Sequence, residues 1–438
     1  MHRHFGTIGA LLMGSAALMF AGGINGLILP LRGAEEGFSS LSLGLLGTGW
    51  ALGYVSGCLS VPRLVGRVGH IRAFSVMAGL AAVSILLSLL FIHAWAWIVL
   101  RALAGYCFAG AAMIVESWIN ERTPGEARGG VFGVYTMVNL AATTAGQMLL
   151  MTGDTGGYAF FVLAAIFYAL ALLPTAVTQQ IAPQPMVAAS LDLPALWRNS
   201  PLAVVAVVLV GVSNGAFGTL GAVYGARIGL DVSTIAIFMS IAVVAGAALQ
   251  VPVGFLSDRM DRRFVLLGLG AVAAAVDVTF VFIAPTAPML VLALASVFGA
   301  AVYAMYPVIV AHANDHAPEN YFLRTSGGLL LLFGIGSIAG PLMGGLLMNL
   351  TGPAGLFMNS LAAHVLLIVY GAWRIRRRDA PGPRDKAAFH TAPVGTQTTP
   401  QTNLLNPAIE EAPETAARAG GDAGPGPENR PDPQPGDG

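Results

Sequence analysis

Charged side chains inside long apolar runs are the residues of this sequence that could do chemistry. Arg101 and Glu116 lie in one such run, residues 95–118, and Asp277 lies in another. A charge within an apolar segment is costly to bury, so each of these residues is a candidate for a functional role. A buried guanidinium could bind a carboxylate or phosphate, and a buried carboxyl group could carry a proton.

The scaffold that positions these residues must be embedded in lipid. Of the 438 residues, 55% are apolar and 10% are charged, and the mean hydropathy is +0.72. A soluble protein carries about 25% charged residues, so this composition excludes an ordinary soluble enzyme. The 22 basic and 22 acidic residues balance, and the basic ones are scattered, which excludes a nucleic-acid-binding surface.

Twelve apolar runs are long enough to cross a membrane, since a helix needs about 20 residues to span the ~30 Å hydrocarbon core. The sequence therefore predicts an all-α integral membrane protein with twelve transmembrane helices. The predicted spans are 6–31, 41–61, 73–92, 95–118, 131–152, 158–178, 202–225, 233–253, 264–284, 288–311, 325–350 and 354–373.

The distribution of arginine and lysine predicts the orientation, because cytoplasmic loops hold the excess of positive charge. With these spans, 19 of the 22 basic residues fall on one side, and only Arg32 and Arg227 fall on the other. Both termini are therefore predicted to be cytoplasmic. The ratio of 21 arginines to one lysine is typical of a GC-rich bacterial genome, so a bacterial inner membrane is expected.

Two segments interrupt the series of spans. Residues 179–201 contain four prolines and predict a central cytoplasmic linker between an N-terminal half, residues 1–178, and a C-terminal half, residues 202–374. Residues 375–438 are predicted to be a disordered cytoplasmic tail. The last 60 residues hold 11 of the 26 prolines and bury too little apolar surface to offset the entropy of ordering.

Weak similarity between the two halves predicts a duplicated unit. Asn25-Gly26 in the first span corresponds to Asn214-Gly215 in the seventh span, 189 residues later. The loop after the fourth span begins at Asn120, and the loop after the tenth begins at Asn314, 194 residues later. Because both pairs lie in corresponding positions, they favour duplication over coincidence.

The candidate charges each have a structural alternative. Arg101 lies about six residues into its span, so it could reach the membrane surface along its aliphatic stem. Glu116 is the only acidic residue in the first eight spans, and it could instead pair with Arg122 or Arg128. Asp277 is a minor candidate for proton transfer. His364 is expected to be a packed, hydrogen-bonded histidine.

A loop motif lies between the eighth and ninth spans, where Gly254 to Arg263 read GFLSDRMDRR. Gly254 allows close helix packing, and Asp258 could face the positive N-terminus of a neighbouring helix near Ser326. Alternatively, the loop is only a basic connection in which Asp258 pairs with Arg262 one turn along. The residues assigned to this cytoplasmic gate motif are Gly254, Asp258, Arg259, Asp261, Arg262 and Arg263.

This loop closely resembles the G-x-L-x-D-R-x-G-R-R signature of the major facilitator superfamily, with Asp261 where a glycine is usual. Arg101 to Gly105 is similar to the R-x-x-x-G element of that family. Gly336 to Gly344 in the eleventh span is similar to an element that drug antiporters carry in their fifth span. The fifth span of this chain lacks that element, which weakens a drug-efflux assignment. The resemblance covers about residues 6–374 and implies two six-helix halves around a central cavity.

The same resemblance implies that the first, fourth, seventh and tenth spans line the cavity. Asn139, Thr143 and Gln147 recur at every fourth residue of the fifth span, so this polar stripe is expected to face protein or water. The predicted cavity residues are Asn25, Arg101, Asn139, Gln147, Asn214, Gln250, Tyr303 and Tyr306, and the proton-coupling candidate is Glu116.

The resulting prediction is a monomeric secondary active transporter for a small organic solute. It would work by alternating access and couple to protons. A membrane-embedded enzyme or sensor on a similar scaffold is the alternative. No cofactor or metal is predicted, because nucleotide-binding and nucleophile motifs do not occur and His312 and His316 lack the glutamate of a zinc motif. Cys58 and Cys107 form neither a disulfide framework nor a metal site.

Overall fold

The computed structural model describes residues 2–123, 127–176, 192–317, 322–377, 389, 391–393 and 399–404, and these residues form helices without any strand. The helices are α1 (His2–Glu35), α2 (Ser40–Val68), α3 (His70–Leu90), α4 (Ala94–Arg122), α5 (Arg128–Leu149), α6 (Ala159–Leu170), α7 (Leu172–Ala176), α8 (Leu193–Asn199), α9 (Pro201–Arg227), α10 (Val232–Arg259), α11 (Arg262–Val278), α12 (Pro288–Asn314), α13 (Phe322–Thr351), α14 (Gly355–Ile375) and α15 (Pro400–Leu404).

The long helices coincide with the predicted spans, and the multi-pass helical fold is confirmed. Within the described ranges, nine helices are long and apolar enough to cross a membrane. Helices α2 and α5, of 29 and 22 residues, occupy the second and fifth predicted spans, and the consecutive helices α6 and α7 occupy the sixth. The arrangement is therefore consistent with twelve spans.

Short polar signals set the helix boundaries between the apolar runs. The side chain of Ser39 accepts a hydrogen bond from the backbone of Ser42 and caps α2, and Asp231 caps α10 in the same way through Thr234. Gly69 has a φ of 82° and joins α2 to α3 without an intervening loop, a conformation that favours glycine. Short turns therefore separate successive helices.

Equivalent helix pairs in the two halves pack through glycine. A Cβ atom added at Gly105 of α4 would lie 2.1 Å from the carbonyl oxygen of Trp50 in α2. One added at Gly299 of α12 would lie 2.1 Å from the carbonyl oxygen of Ala242 in α10. Small residues let helix backbones approach closely, so α2 with α4 and α10 with α12 form matching units. This correspondence agrees with the predicted duplication.

The two halves meet mainly where α2 of the first half packs against α13 of the second. A Cβ atom at Gly44 would lie 2.2 Å from the carbonyl oxygen of Pro341, and the hydroxyl of Thr48 donates to the carbonyl of Ile338 over 2.9 Å. These contacts lie in the first part of α2 and the second part of α13. They close the end of the molecule opposite to the arginine-rich end, which is defined by the helix ends at Arg67, Arg122 and Arg259.

The linker and the tail differ in part from their predicted states. Within the predicted linker, residues 179–191 lie outside the described residues, while α8 is capped by Asp192 and packs against α9 and α13. In the tail, residues 399–404 are ordered: they form α15 against α4 and α13. The prediction of disorder does not hold for these residues, because the rest of the protein supplies the packing surface that the tail itself lacks.

Candidate functional site

A central cavity of about 210 Å³ lies between the two halves and is lined by residues from both. Six predicted residues line it, together with Thr143 from the predicted polar stripe. The six are Asn25, Arg101, Gln147, Asn214, Tyr303 and Tyr306. The two asparagines of the predicted repeat therefore face the same space from corresponding helices.

Arg101 is the charged side chain of this cavity. It lies in the second turn of α4, is 8% exposed, and its guanidinium group lies 5.8 Å from the centre of the Trp50 ring. Its Nη1 atom is 3.5 Å from Oδ1 of Asn25, whose Nδ2 atom donates to the hydroxyl of Tyr168 over 3.3 Å. Arg101 therefore lines the cavity and is buried within the protein. Within the described part of the chain, no carboxylate forms an ion pair with it.

Several polar atoms around the cavity have no hydrogen-bond partner among the described residues. They include Oδ1 of Asn214, the hydroxyl of Tyr306, Oγ of Ser337 and Oγ1 of Thr143. Buried polar groups are costly to leave unpaired, and in native proteins they usually bind a protein group, water or a ligand. Neutral hydrogen-bonding groups therefore surround the single guanidinium group.

Glu116 lies beside a second, smaller cavity toward the arginine-rich end. This cavity is lined by Glu116, Tyr135, Thr136, Asn139 and other residues. The hydroxyl of Tyr135 donates to Oε1 of Glu116 over 2.9 Å. Oε2 accepts a hydrogen bond from Thr399, so the carboxylate is held by hydroxyl groups.

Asn139 does not line the main cavity, although sequence analysis grouped it there. It lies beside the smaller cavity, and its Oδ1 atom accepts a hydrogen bond from Ser15 over 2.8 Å. Glu116 is 4% exposed and, among the described residues, forms an ion pair with neither Arg122 nor Arg128. The structure therefore places Glu116 near the polar stripe of α5, at the edge of the cavity region.

Gln250 connects the C-terminal half to the tail and does not line the main cavity. Its Nε2 atom donates to the carbonyl oxygen of Tyr303 over 3.3 Å, and its Oε1 atom accepts from the backbone N–H of Ala392 over 2.9 Å. Both contacts leave the side chain 2% exposed. Gln250 therefore fixes a segment that sequence analysis placed outside the fold.

The loop motif forms an ion-pair cluster at the arginine-rich end. Arg262 is 1% exposed at its side chain and lies 2.9 Å from the carboxylate of Asp315 and 3.2 Å from that of Asp258. The side chain of Asp258 is 48% exposed, and its pair with Arg262 spans the break between α10 and α11. The cluster ties α11 to the ends of α10 and α12, while Arg259 is exposed.

Asp261, which replaces the usual glycine of the motif, caps α11. Its Oδ1 atom accepts the backbone N–H of Arg263 over 3.0 Å, and its Oδ2 atom lies 2.7 Å from Nη2 of the same residue. Burial favours the neutral acid, but the hydrogen bonds and positive charge of Arg263 hold the pKa of Asp261 below its ordinary value. The substitution thus replaces backbone freedom with a charged helix cap.

A second buried acid, Asp277, lies between α11 and α14. Its Oδ2 atom is 2.7 Å from Nδ1 of His364, and both side chains are at most 1% exposed. Close by, the hydroxyls of Ser213 and Ser360 lie 2.6 Å apart. His364 is therefore packed and hydrogen-bonded, as the sequence predicts, and neither member of the pair lines the central cavity.

Sequence reasoning predicted Tyr303 and Tyr306 but missed the other aromatic side chains of the site. Trp50 and Tyr168 contact Arg101 and Asn25 respectively, and Phe108 and Phe333 line the cavity. Their positions within apolar runs do not distinguish rings that face a cavity from rings that face lipid. The only signal was the phenolic hydroxyl of Tyr168, because a buried hydroxyl requires a partner.

Comparison with known proteins agrees with this architecture. YcaD, an uncharacterised MFS-type transporter in Escherichia coli and Shigella flexneri, is 26% identical over 346 residues, which cover 77% of this chain and 88% of the relative. Among solved structures, the nucleoside transporter NupG superposes with a TM-score of 0.71, at 14% identity over 84% of this chain and 98% of that one. A D-xylose–proton symporter superposes with a TM-score of 0.60, at 16% identity over 87% and 98%.

A bacterial homologue of the human lysosomal transporter Spinster, crystallised in an inward-facing and occupied conformation, also superposes, with a TM-score of 0.67. Its identity is 16%, over 87% of this chain and 97% of that one. At such identities the structural likeness shows the fold alone. The Major Facilitator Superfamily sequence model, however, matches residues 11–248 and 202–412. These matches cover nearly the whole chain, which therefore belongs to the major facilitator superfamily of membrane transporters.

Proposed function

We propose that this secondary transporter carries a small organic anion, such as a carboxylate, in a proton-coupled cycle of alternating access. The observation that carries the proposal is the buried guanidinium group of Arg101 in the cavity, without an acidic partner among the described residues. A charge in such a place is costly unless it is compensated. A substrate carboxylate would compensate it and form a charge-assisted hydrogen bond.

The neutral groups of the cavity support the same class of substrate. Asn214, Ser337 and Tyr306 offer unpaired polar atoms from the C-terminal half. They could bind hydroxyl, amide or carbonyl groups on the remainder of the substrate. Trp50 and Phe108 give the cavity apolar walls. A molecule with one carboxylate, a short apolar body and a further polar group fits this distribution of groups.

Glu116 is proposed as the proton-binding residue. It lies at the edge of the cavity region, and no acidic side chain among the described residues lines the main cavity. The bacterial inner membrane remains the proposed location, with both termini in the cytoplasm and a monomer in contact with lipid as the working unit. The arginine-rich end would then face the cytoplasm, in agreement with the positive-inside rule.

Binding by purified protein tests the anion proposal without knowledge of the exact substrate. We expect members of a library of small organic acids to raise the melting temperature, while their matched amides or alcohols do not. The Arg101→Gln variant should lose this response, because a hydrogen bond to a charged group contributes roughly 1.5–3 kcal/mol and its loss weakens binding about tenfold to a hundredfold.

Arg32→Gln is the matched control, because Arg32 pairs with Glu36 outside the cavity and should not affect the response. Equal stabilisation of the wild type and Arg101→Gln by neutral compounds would contradict the anion proposal. Transport itself is tested in proteoliposomes, where adding an organic acid that binds should dissipate an imposed pH gradient. That result would also separate transport from the enzyme or sensor alternative.

A further inference from the structure

Part of the C-terminal segment lies within the cavity region. We name the described residues of this segment, Phe389, Thr391 to Pro393 and Thr399 to Leu404, the C-terminal plug. Ala392 and Pro393 line the main cavity. Thr399 is fully buried, and Gln401 and Thr402 are 2% and 3% exposed. A segment rich in polar residues is therefore removed from solvent inside a transporter.

The plug is held by the C-terminal half through α10. The backbone N–H of Ala392 donates to Oε1 of Gln250 over 2.9 Å. One turn along α10, a Cβ atom added at Gly254 would lie only 2.5 Å from the ring of Phe389. The absence of a side chain at Gly254 therefore provides the space in which the phenyl ring packs. The glycine of the loop motif thus has a specific role in accommodating the plug.

The same plug is held by the N-terminal half through α4. The hydroxyl of Thr399 donates to the carboxylate of Glu116, and Pro393 lines the small cavity beside that carboxylate. The hydroxyl of Thr402 accepts the backbone N–H of Thr399 over 2.9 Å, which closes the first turn of α15. Helix α15 itself packs against α4 and α13, one helix from each half.

The position of the plug matters for alternating access. The contacts of Gly44 and Thr48 close the opposite end of the molecule, whereas Gln250, Gly254 and Glu116 lie in the parts of α10 and α4 nearest to the arginine-rich end. For the cavity to open at the opposite end, the halves must approach each other at the arginine-rich end. The plug occupies the space into which they would move.

We propose that the C-terminal plug is an autoinhibitory element. It occupies the space between the two halves at the arginine-rich end and holds the halves apart there. It covers Glu116 and occupies the wall of the substrate cavity at Ala392 and Pro393. The transporter is therefore inhibited until the plug leaves. Its departure exposes the carboxylate, vacates part of the cavity and allows the halves to close at this end.

Thiol labelling tests this proposal without a transport substrate. In full-length protein with Cys58→Ala and Cys107→Ala, a cysteine at Thr136 would report on the small cavity, which is also lined by Pro393. We expect a chain that ends at Arg378 to label with a charged maleimide at least about tenfold faster at this position. The plug is held by at least two hydrogen bonds, one of them to a charged group. Their combined loss would change the equilibrium between the bound and the released plug by at least about tenfold.

The exposed position Gly66 provides the reference cysteine. It lies near the end of α2, an added Cβ would meet no atom within 4 Å apart from its chain neighbours and its own helix backbone, and its labelling should be the same in both chains. Equal labelling of the Thr136 cysteine in the full-length and shortened chains would overturn the proposal, because the helices alone would then cover the small cavity.

A point substitution provides a second test if the shortened chain fails to fold. Thr399→Val keeps the shape of the side chain and removes the hydroxyl that donates to Glu116, so labelling of the Thr136 cysteine should increase several-fold to about tenfold. Thr391→Val is the matched control, because Thr391 belongs to the same segment and is exposed. If Thr399→Val labels at the wild-type rate, the plug does not depend on Glu116 and the proposal is wrong.

Discussion

The N-terminal half places its buried charges beside the cavity region, whereas the C-terminal half pairs its buried charges within its own helix packing. Arg101 and Glu116 are held by neutral groups: an asparagine, a tryptophan ring and hydroxyls. Asp277 instead pairs with His364, and Arg262 pairs with Asp315. The two halves share one architecture but have different ionisable chemistry.

This difference indicates how the duplicated fold divides its functions. A charge held by neutral partners keeps its electrostatic interaction available for a ligand or a proton. A charge held by an opposite charge contributes mainly to the position of the helices. Asn214, Tyr303 and Tyr306 supply the C-terminal half's polar contribution to the cavity without a net charge. The following predictions test whether this division is correct.

The largest effect is expected at Glu116. If this carboxyl group carries the coupled proton, Glu116→Gln should abolish pH-driven transport, because an amide keeps the shape and accepts hydrogen bonds but does not exchange a proton in this pH range. Substrate binding and counterflow in proteoliposomes should persist in part. Glu121→Gln, at an exposed position in the same helix, is the control. Normal pH-driven accumulation of substrate by Glu116→Gln would show that the N-terminal half does not supply the coupled proton through this residue.

Loss of stability is expected at Asp277. Asp277→Ala leaves the Nδ1 atom of His364 buried without its hydrogen-bond partner, which costs roughly 1–3 kcal/mol of the free energy of unfolding. Denaturant unfolding in detergent should show this loss, and Asp277→Asn should show a smaller one. The pH-driven transport per folded molecule should remain normal in Asp277→Asn. A stable Asp277→Asn protein without pH-driven transport would indicate that the proton-binding residue lies in the C-terminal half.

The smallest effect is expected at Asp258. This half-exposed carboxylate pairs with Arg262 across the break between α10 and α11, and ion pairs with an exposed partner contribute about 0.2–1 kcal/mol. Asp258→Asn should therefore change the free energy of unfolding by less than about 1 kcal/mol and labelling of the Thr136 cysteine by less than about fivefold. A tenfold increase in labelling would instead support the gate role that the sequence motif implies for Asp258.

The fold could be predicted from the sequence because helix length in a membrane depends on little else than the length of an apolar run. The tenth span was predicted at residues 288–311, and α12 extends from Pro288 to Asn314. Proline at the start of the run favours a helix beginning there. The repeat also located Asn25 and Asn214, since equivalent positions in two packed halves face the same central space.

The remainder of the site depends on packing between distant segments. Trp50 and Tyr168 have apolar neighbours in the sequence whether they face lipid or a cavity, so composition does not separate the two cases. The tail is a different case: it has too few apolar residues to form a core of its own. Its ordered residues are held by Gln250 and Glu116, which no local pattern in the tail could indicate.

Because the plug and the cavity belong to one polypeptide, every molecule carries one copy of its own ligand. The effective concentration of a tethered ligand is set by the chain that joins it to its site and not by the amount of protein in the membrane. Raising or lowering expression would therefore leave the occupied fraction unchanged. An event that acts on the tail itself, such as capture by another molecule or cleavage, would change that fraction.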